Sequence, residues 1–332
     1  MARILLIGGA GYIGSHANIA FAEAGHDTVV FDDLSTGFRE LVITGELVRG
    51  DLSNKPEIDA VLSRGNFDLI AHFAAKSFVA ESIENPIRYW NSNLGGTLNL
   101  LESVAEFGPG KLVFSSSAAV DGEREGVRST ASHPLRPMNP YGRTKLACEW
   151  AIRDAASAFD LKFANLRYFN AVGADPEGRV GSLLPNNPQL FQAILNTLVG
   201  LREEITIFGE DYPTPDGTCI RDYVHVTDLA EAHLAAAEYL LEDGDSFTAN
   251  IGTGKGYSVR EVLSAFRKVA DRELPVRYID RREGDPARSA ADPSKAAEIL
   301  GWKTRFTDLG EIVTSAWNFH QAHFGRHADS PD

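Results

Sequence analysis

Short apolar runs alternate with helical patterns along the first half of the chain. The run at 4–7 precedes a segment in which Ile13, Ala17 and Phe21 share one apolar face before Gly25. Apolar runs of roughly four to eight residues are typical of buried strands, whereas apolar positions three and four apart are typical of helices. The same patterns predict strands at 28–31, 47–48, 68–73, 111–115 and 162–167, and helices at 55–63, 89–107 and 141–159. This alternation predicts an α/β fold with a doubly wound parallel sheet.

A glycine-rich segment directly follows the first strand. Gly8, Gly11 and Gly14 lie three apart where the chain turns into the helix. One such position can take positive φ, and another lets a pyrophosphate approach the backbone N–H groups at a helix N-terminus. The second strand ends at Asp32, where a carboxylate suits a ribose 2′-hydroxyl and repels a 2′-phosphate. The pattern predicts a Rossmann-type dinucleotide site.

Longer loops rich in Gly, Pro and Asn begin beyond Asn170, and such loops often carry substrate contacts. Strand patterns at 222–226 and 248–251 are expected to return to the first sheet. The second domain would then consist of two separate stretches. We predict a dinucleotide-binding domain over 1–170 plus the returning strands of 222–251, a smaller C-terminal α/β substrate-binding domain over 171–221 and 252–325, and a flexible tail over 326–332.

Length and composition agree with an enzyme of two domains or one elaborated domain. The chain has 332 residues and a net charge of −14, which disfavours nucleic acid and anionic membranes as main partners. No apolar stretch is long enough for a membrane span, and the first run is too short for a signal peptide. Cys148 and Cys219 lack metal-ligand spacing. We expect reduced thiols, a cytoplasmic protein and no metal site.

Candidate catalytic residues lie at the start of the helix predicted at 141–159. Tyr141 and Lys145 are four residues apart and share one helix face. A tyrosine pKa of about 10 is too high for a base at neutral pH. An adjacent ammonium, together with the positive nicotinamide ring beyond it, is expected to lower this pKa. Serines 115–117 lie at the carboxyl end of the preceding strand, where doubly wound sheets place their active sites. A hydroxyl there can bond the same substrate oxygen as Tyr141.

Several longer motifs extend this pattern over nearly the whole chain. They are 8–16 (GGAGYIGSH), 32–35 (DDLS), 72–75 (HFAA), 114–117 (FSSS), 139–145 (NPYGRTK), 166–170 (LRYFN), 207–218 (IFGEDYPTPDGT), 221–226 (RDYVHV) and 281–285 (RREGD). Through them the chain resembles the extended short-chain dehydrogenase/reductases and, among these, the UDP-glucose 4-epimerase family. The glycines and the Tyr/Lys pair are shared by the whole superfamily. The stretch 207–226 is more specific to the epimerases and their nearest relatives.

The resemblance implies that the cofactor is NAD and that the first domain binds it. The implied contacts are Gly8, Gly11, Tyr12 and Ile13 at the pyrophosphate, Asp32 at the adenosine ribose, Asp51 and Leu52 at the adenine, Phe73, Ala74 and Ala75 at the cofactor's centre, Lys145 at the nicotinamide ribose, and also Gly14, Asp33, Asn93, Tyr141 and Tyr168. Because the net redox change of an epimerisation is zero, the cofactor need not leave between turnovers. We expect it to be held tightly.

The resemblance also implies a UDP-hexose substrate, epimerised at C4 through a 4-keto intermediate. Ser117 and Tyr141 would contact the sugar 4-hydroxyl, so the implied catalytic set is Tyr141, Lys145 and Ser117. The implied contacts of the remaining substrate are Asn170, Arg221, Arg282 and Asp285 at the nucleotide diphosphate end, with Asn187 and Ser289 in addition. A homodimer is implied as well, through the helix that carries Tyr141 and the helix before it.

The chain departs from the family pattern at a few positions. Asp121 stands where these enzymes usually have tyrosine, and Ala119 replaces a small hydroxyl residue. Lys76 lies one position earlier than the lysine often found after His-Phe-Ala. Ser289 stands where some epimerases carry a tyrosine that fills the space of a 2-N-acetyl group. We therefore expect the N-acetylhexosamine pair to be accepted as well.

Other functions on this scaffold are weighed against the epimerase. A nucleotide-sugar dehydratase or decarboxylase needs a further acid or base, typically a carboxylate just after the strand serine, but Ser117 is followed by two alanines. An epimerase of another nucleotide sugar, such as a UDP-pentose, stays open. A non-catalytic protein that senses NAD is disfavoured because Ser117, Tyr141 and Lys145 are all present.

Overall fold

Strand and helix alternate through the first two thirds of the computed structural model, which describes residues 1–122, 129–184, 186–282 and 285–325. Its strands are β1 (Arg3–Ile7), β2 (Asp27–Asp32), β3 (Glu46–Arg49), β4 (Leu69–His72), β5 (Lys111–Ser117), β6 (Lys162–Tyr168), β7 (Asn170–Val172), β8 (Ile205–Phe208), β9 (Ile220–Arg221), β10 (Tyr223–His225), β11 (Phe247–Ile251), β12 (Tyr257–Ser258), β13 (Val276–Ile279) and β14 (Arg288–Ser289). The tail predicted to be flexible, 326–332, lies outside the described residues.

Among the helices of the described residues, those predicted over 55–63 and 141–159 lie within two residues of the predicted bounds. The helices are α1 (Tyr12–Glu23), α2 (Lys55–Gly65), α3 (Val79–Glu84), α4 (Pro86–Tyr89), α5 (Gly96–Phe107), α6 (Pro140–Ala158), α7 (Leu190–Leu198), α8 (Val226–Leu241), α9 (Val259–Ala270), α10 (Ser294–Leu300) and α11 (Leu309–Phe324). A π-helical turn at Trp90–Gly95 joins α4 to α5. The helix predicted over 89–107 is therefore π-helical over Trp90–Gly95 and α-helical from Gly96 onwards.

Within the described residues, a seven-stranded parallel sheet has the order β11-β6-β5-β4-β1-β2-β3. Strand β1 is buried on both faces: Ile4 and Leu6 pack towards α1 and α8, whereas Leu5 and Ile7 pack towards α2, α5 and α6. Parallel sheets need this cover on both faces because their connecting helices cross over them. The prediction of a doubly wound, Rossmann-type α/β sheet is confirmed.

The strand pattern at 222–226 does not join this sheet, contrary to expectation. Strand β10 pairs in parallel with β7, just beyond the carboxyl end of β6. Helix α8 then packs on α1 and leads to β11, which pairs with β6 as the edge strand of the sheet. The pattern at 248–251 therefore returns to the sheet as β11. The pattern at 222–226 forms β10 instead, which pairs with β7 beyond the carboxyl end of β6.

A second buried apolar cluster lies beyond the sheet. It combines α7, α9 and α11 with the parallel pair β8–β13, through side chains such as Phe191, Phe266 and Trp317. Its residues come from two stretches of the chain on either side of α8 and β11. The exact division of the chain into domains stays a prediction. In the described ranges, the structure has no helix whose length and apolar character would let it cross a membrane.

Buried histidines make the fold sensitive to acid. Burial lowers the pKa of His16, His233 and His320 to about 4, and that of His72 and His225 to about 3. The unfolded chain takes up protons at these positions below about pH 6.5, where the folded chain does not. The stabilisation is therefore fully present above pH 6.5 and is lost as the pH falls towards 4.

We expect the free energy of unfolding, measured by urea titration, to fall steadily between pH 7 and pH 5. The substitution His320→Phe tests the cause, because both ring nitrogens of this buried side chain lack a hydrogen-bond partner among the described residues. In the variant, the slope of the free energy of unfolding against pH should be smaller by up to about 1.4 kcal/mol per pH unit. Identical slopes for the wild type and the variant below pH 6.5 would contradict this explanation.

Candidate active site

A cleft of about 2300 Å³ runs along the carboxyl ends of the central strands. Doubly wound sheets bind their ligands at this edge, where the strand order reverses beside β1. The cleft wall brings together the predicted site residues with one exception, Asn93. Those on the wall are Gly8, Gly11, Tyr12, Ile13, Gly14, Asp32, Asp33, Asp51, Leu52, Phe73, Ala74, Ala75, Ser117, Tyr141, Lys145, Tyr168, Asn170, Asn187, Arg221, Arg282, Asp285 and Ser289.

The turn between β1 and α1 has no room for side chains. Gly8 has a φ of +81°, and a β-carbon there would lie 2.5 Å from the Ala74 nitrogen. A β-carbon at Gly14 would overlap the Gly8 carbonyl oxygen. Helix α1 has Gly11 as its N-cap, and no side chain of the described residues caps it. Its first N–H groups therefore face the cleft, as a pyrophosphate site requires.

Asp32 is fixed at the end of β2 by backbone donors. The N–H groups of Ala10 and Leu34 each donate to its carboxylate at 2.9 Å. Burial raises the pKa of Asp32, and these two N–H groups oppose that rise. The carboxylate is held at the cleft wall, next to the glycine turn, with its orientation set.

Asn93 lies behind the wall that Phe73, Ala74 and Ala75 form. Its side-chain oxygen accepts from the Lys76 N–H at 2.8 Å, and its amide donates to the Lys76 carbonyl and to Thr144 Oγ1. The π-helical turn Trp90–Gly95 carries this residue, and such turns are frequent at functional sites. In this structure Asn93 positions the wall, and a contact with the cofactor stays a prediction.

Tyr141 and Lys145 enter the site from the first turns of α6. Asn139 caps this helix by accepting from the Gly142 N–H at 2.8 Å, and Pro140 occupies its first position. The Lys145 ammonium is 2 % exposed; it donates to the Ser115 carbonyl at 2.8 Å and lies 4.7 Å from the centre of the Phe114 ring. Burial lowers the pKa of Lys145 to about 8.

The expected lowering of the Tyr141 pKa needs both the Lys145 ammonium and a nicotinamide ring, and it stays a prediction. Burial raises the pKa of Tyr141, and a hydrogen bond with Ser117 opposes the rise. The Lys145 ammonium donates to the Ser115 carbonyl and not to the phenol. Ser117 itself ends β5 opposite Tyr168 and accepts from the Ala119 N–H. Phenol and serine hydroxyl thus converge on one point of the cleft.

Basic side chains line the opposite end of the cleft. Arg221 forms an ion pair with Asp285 at 2.5 Å, and the Arg282 guanidinium lies 3.6 Å from the centre of the Phe208 ring. Asn170 donates from its amide to the Asp222 carbonyl at 3.1 Å. Asn187 lines the cleft on the loop before α7. Two guanidinium groups at one end suit a diphosphate.

Ser289 lies on β14, directly opposite Arg221 in the register with β9. It lines the cleft, whereas the exposed Arg288 beside it does not. The arrangement leaves a small hydroxyl side chain on the cleft wall beside Arg221.

A buried charged network behind β5 and β6 was missed by sequence reasoning. Arg167 donates to both carboxylate oxygens of Glu149, at 2.8 and 2.6 Å, and Ser116 donates to the same carboxylate. Asp121 lies 3.9 Å from the Arg167 guanidinium. Glu149 follows Lys145 by one helical turn, which is the signal that could have placed it on the sheet-facing side of α6.

Comparisons with known proteins show which family this chain resembles. The model of the NAD dependent epimerase/dehydratase family matches residues 4–252. A UDP-glucose 4-epimerase of Rhizobium meliloti is 45% identical over 318 residues, which cover 96% of this chain and 97% of that protein.

Solved structures extend the similarity to the whole fold. UDP-glucose 4-epimerase from Brucella ovis in complex with NAD superposes with a TM-score of 0.94 at 40% identity, over 98% of this chain and 99% of that one. The UDP-Glc/GlcNAc 4-epimerase from Campylobacter jejuni has a TM-score of 0.86 at 39% identity, over 97% of this chain and 100% of that one. With three quarters of its length matched by the family model and its fold shared throughout, the chain belongs to the NAD dependent epimerase/dehydratase family.

Proposed function

We propose that this chain interconverts UDP-glucose and UDP-galactose by inverting C4 of the hexose, with NAD as its cofactor. One observation carries the proposal: a single cleft joins a dinucleotide turn, a tyrosine–serine–lysine group and a pair of arginines. The same activity is named for relatives that are similar over nearly the whole chain. Epimerisation needs these three parts in this order, because the sugar lies between the cofactor and the nucleotide anchor.

The residues of the glycine turn fit NAD. Helix α1 has no acidic residue in its first turn, and Gly8 and Gly14 admit no β-carbon, so a pyrophosphate can approach the backbone. Asp32 suits an unphosphorylated ribose because a 2′-phosphate would face its carboxylate. The wall of Phe73, Ala74 and Ala75 supports the centre of the cofactor. The other roles assigned to site residues on the cofactor side are part of the same proposal.

The nucleotide diphosphate of the substrate lies at the opposite end. Arg221 and Arg282 bind its charges, while Asp285 holds Arg221 in place through their ion pair. Asn170 and Asn187 add neutral contacts at the same end. This anchoring lets the sugar turn over without leaving the cleft.

Chemistry takes place where the Tyr141 phenol and the Ser117 hydroxyl converge. Tyr141 accepts the proton of the sugar 4-hydroxyl and later returns it, while Ser117 holds the same oxygen by a hydrogen bond. When bound, oxidised NAD supplies the reversible oxidation of C4 and a positive charge that favours the phenolate. Lys145 contributes a second buried positive charge, whose field is strong because water is excluded.

Rival activities meet specific obstacles in this cleft. A dehydratase or decarboxylase needs a carboxylate beside the tyrosine, and the first carboxylate after Ser117 is Asp121. Asp121 is 4 % exposed, does not line the cleft and is paired with Arg167 and Ser129.

Incubating the purified protein with UDP-galactose, UDP-N-acetylgalactosamine and UDP-arabinose, and resolving the products, separates a hexose epimerase from a pentose epimerase and from an inactive NAD sensor.

The sugar pocket is open on the side of Ser289. A serine leaves the space that a 2-N-acetyl group needs, and the exposed Arg288 does not fill it. A similar protein is named as an epimerase of both UDP-Glc and UDP-GlcNAc. The proposed substrate range therefore includes the UDP-N-acetylhexosamine pair.

The proposed assembly is a homodimer through α5 and α6. Leu98 and Phe107 on α5 and Trp150 on α6 expose 43 %, 40 % and 54 % of their surface. Large apolar side chains exposed on two adjacent helices favour a protein partner, and a second copy would bury them in a four-helix contact. The two cysteines are free and buried, which fits a reducing compartment such as the cytoplasm.

Tyr141→Phe should reduce epimerisation of UDP-galactose by about 10²–10⁴-fold, because it removes the proton acceptor while the ring still packs. Bound NAD and the thermal midpoint should stay close to those of the wild type. Tyr239→Phe is the control, since that hydroxyl accepts from the Asp245 N–H far from the cleft. Near wild-type turnover by Tyr141→Phe would remove this residue from the catalytic role.

Ser289→Tyr should shift the ratio of kcat/KM for acetylated over plain UDP-hexoses by about 10–200-fold towards the plain sugars, because the ring occupies the acetyl space. Arg288→Tyr adds the same ring to the same strand outside the cleft and should leave the ratio unchanged. The assignment fails when the wild type ignores the acetylated sugars or when both variants behave alike.

Trp150→Glu and Leu98→Glu should each yield monomers by size-exclusion chromatography with light scattering, because a charge is placed in the proposed apolar contact. Ile279→Glu serves as the matched control, since Ile279 is 39 % exposed on β13, away from α5 and α6. A dimer that survives both helix substitutions argues for another interface.

A further inference from the structure

The buried carboxylate of Asp121 connects two walls of the cleft. It follows the short 3₁₀ turn Ala118–Val120, directly after Ser117, and its N–H donates to the Ala118 carbonyl at 3.0 Å. Its side chain accepts from the Ser129 hydroxyl, eight positions further along the chain. Asp121 and Ser129 are 4 % and 5 % exposed. A charged acceptor in such surroundings holds its donor firmly, because water cannot replace the bond.

Ser129 in turn holds the segment that carries Ser289. Its N–H donates to the Ala290 carbonyl at 3.0 Å, and its carbonyl accepts from the Asp292 N–H at 2.8 Å. The Asn250 amide donates to the same carbonyl at 2.7 Å. The segment 290–292 thus packs on Ser129. It begins one residue after Ser289, whose side chain lines the cleft.

The other side of this connection is anchored in the sheet. Arg167 on β6 donates to the Ala131 carbonyl at 3.3 Å and faces Asp121, while Glu149 holds the guanidinium by two hydrogen bonds. Arg167 is 2 % exposed and Glu149 is fully buried. Ser129 and Ala131 are therefore both hydrogen-bonded to the buried charged network, the first through Asp121 and the second through Arg167.

We propose that Asp121 is a positioning residue of the sugar pocket, which fixes Ser129 and through it the Ser289 side of the wall. The inference rests on the proposed function, because it needs a nucleotide sugar in the cleft. Ser117 is held separately, by its place in β5 opposite Tyr168. The arginine end has supports of its own, in the Arg221–Asp285 ion pair and in the pairing of β9 with β12. Loss of Asp121 should therefore weaken binding of the sugar more than binding of the nucleotide, and should leave the reacting hydroxyls in place.

The test compares binding of UDP and UDP-glucose by calorimetry in Asp121→Ala, Ser129→Ala and Asp121→Asn holoenzymes. Asp121→Ala and Ser129→Ala should each raise the Kd of UDP-glucose about tenfold and change the Kd of UDP by no more than about twofold. Asp121→Asn should retain most of the affinity, since its amide oxygen still accepts from Ser129. In turnover of UDP-galactose, KM should rise about tenfold and kcat should stay within about threefold, again because the sugar contacts alone are lost.

Asp228→Ala is the matched control for a purely structural loss. Its buried carboxylate accepts from the Arg305 and Phe306 N–H groups outside the cleft, so the variant should lower the thermal midpoint and leave the UDP-glucose to UDP ratio unchanged. Where Asp121→Ala does not fold, Ser129→Ala decides, because it keeps the Asp121–Arg167 pair intact.

Several results would overturn the inference. They are equal losses for UDP and UDP-glucose in the alanine variants, an unchanged Ser129→Ala enzyme, an Asn variant as weak as the Ala variant, or a wild type that binds UDP-glucose no tighter than UDP. Failure of the proposed function looks different. The wild type would then bind UDP-glucose more tightly than UDP without epimerising it, and the binding ratios would still test Asp121.

Discussion

The proposed cofactor end of the cleft depends on two backbone contacts that leave no space for a β-carbon. At Gly8 the chain lies against Ala74, and at Gly14 the first turn of α1 lies against the Gly8 carbonyl. The first contact sets the distance between the glycine turn and the wall after β4. The second sets how closely α1 approaches β1. Any larger residue would push the helix terminus and the wall apart, so both sides of the dinucleotide site follow from these contacts.

Burial of Lys145 is the second constraint, since an isolated ammonium is costly to remove from water. The Ser115 carbonyl accepts from it, the Phe114 ring faces it, and Glu149 lies one turn along α6. These partners compensate the charge without using the Tyr141 phenol. Burial raises the pKa of Tyr141 in the surroundings that the chain alone provides. In the proposed mechanism, the positive charge of bound NAD therefore adds to that of Lys145 in favouring the phenolate.

Much of the fold and of the cleft could be predicted because the signals are local. The glycine turn, Asp32 and the Tyr141–Lys145 pair each lie within one strand–turn–helix unit, so spacing is enough to place them on the same edge. The errors concern contacts between distant segments. Strand β10 pairs with β7 instead of joining the sheet. The network of Glu149, Arg167 and Asp121 joins three elements that no local pattern connects.

The position of β11 has a consequence for synthesis of the protein. This strand completes the main sheet beside β6, and its Phe247, Ala249 and Ile251 belong to the same buried cluster as Leu6 and Phe21. Until residue 251 has left the ribosome, β6 presents an unpaired edge, and the apolar surface beneath it stays open to water. Unpaired edges of this kind promote aggregation. The first half of the chain contains most of the proposed dinucleotide site. It therefore cannot complete its fold early, because it depends on β11, which is synthesised after much of the proposed substrate side.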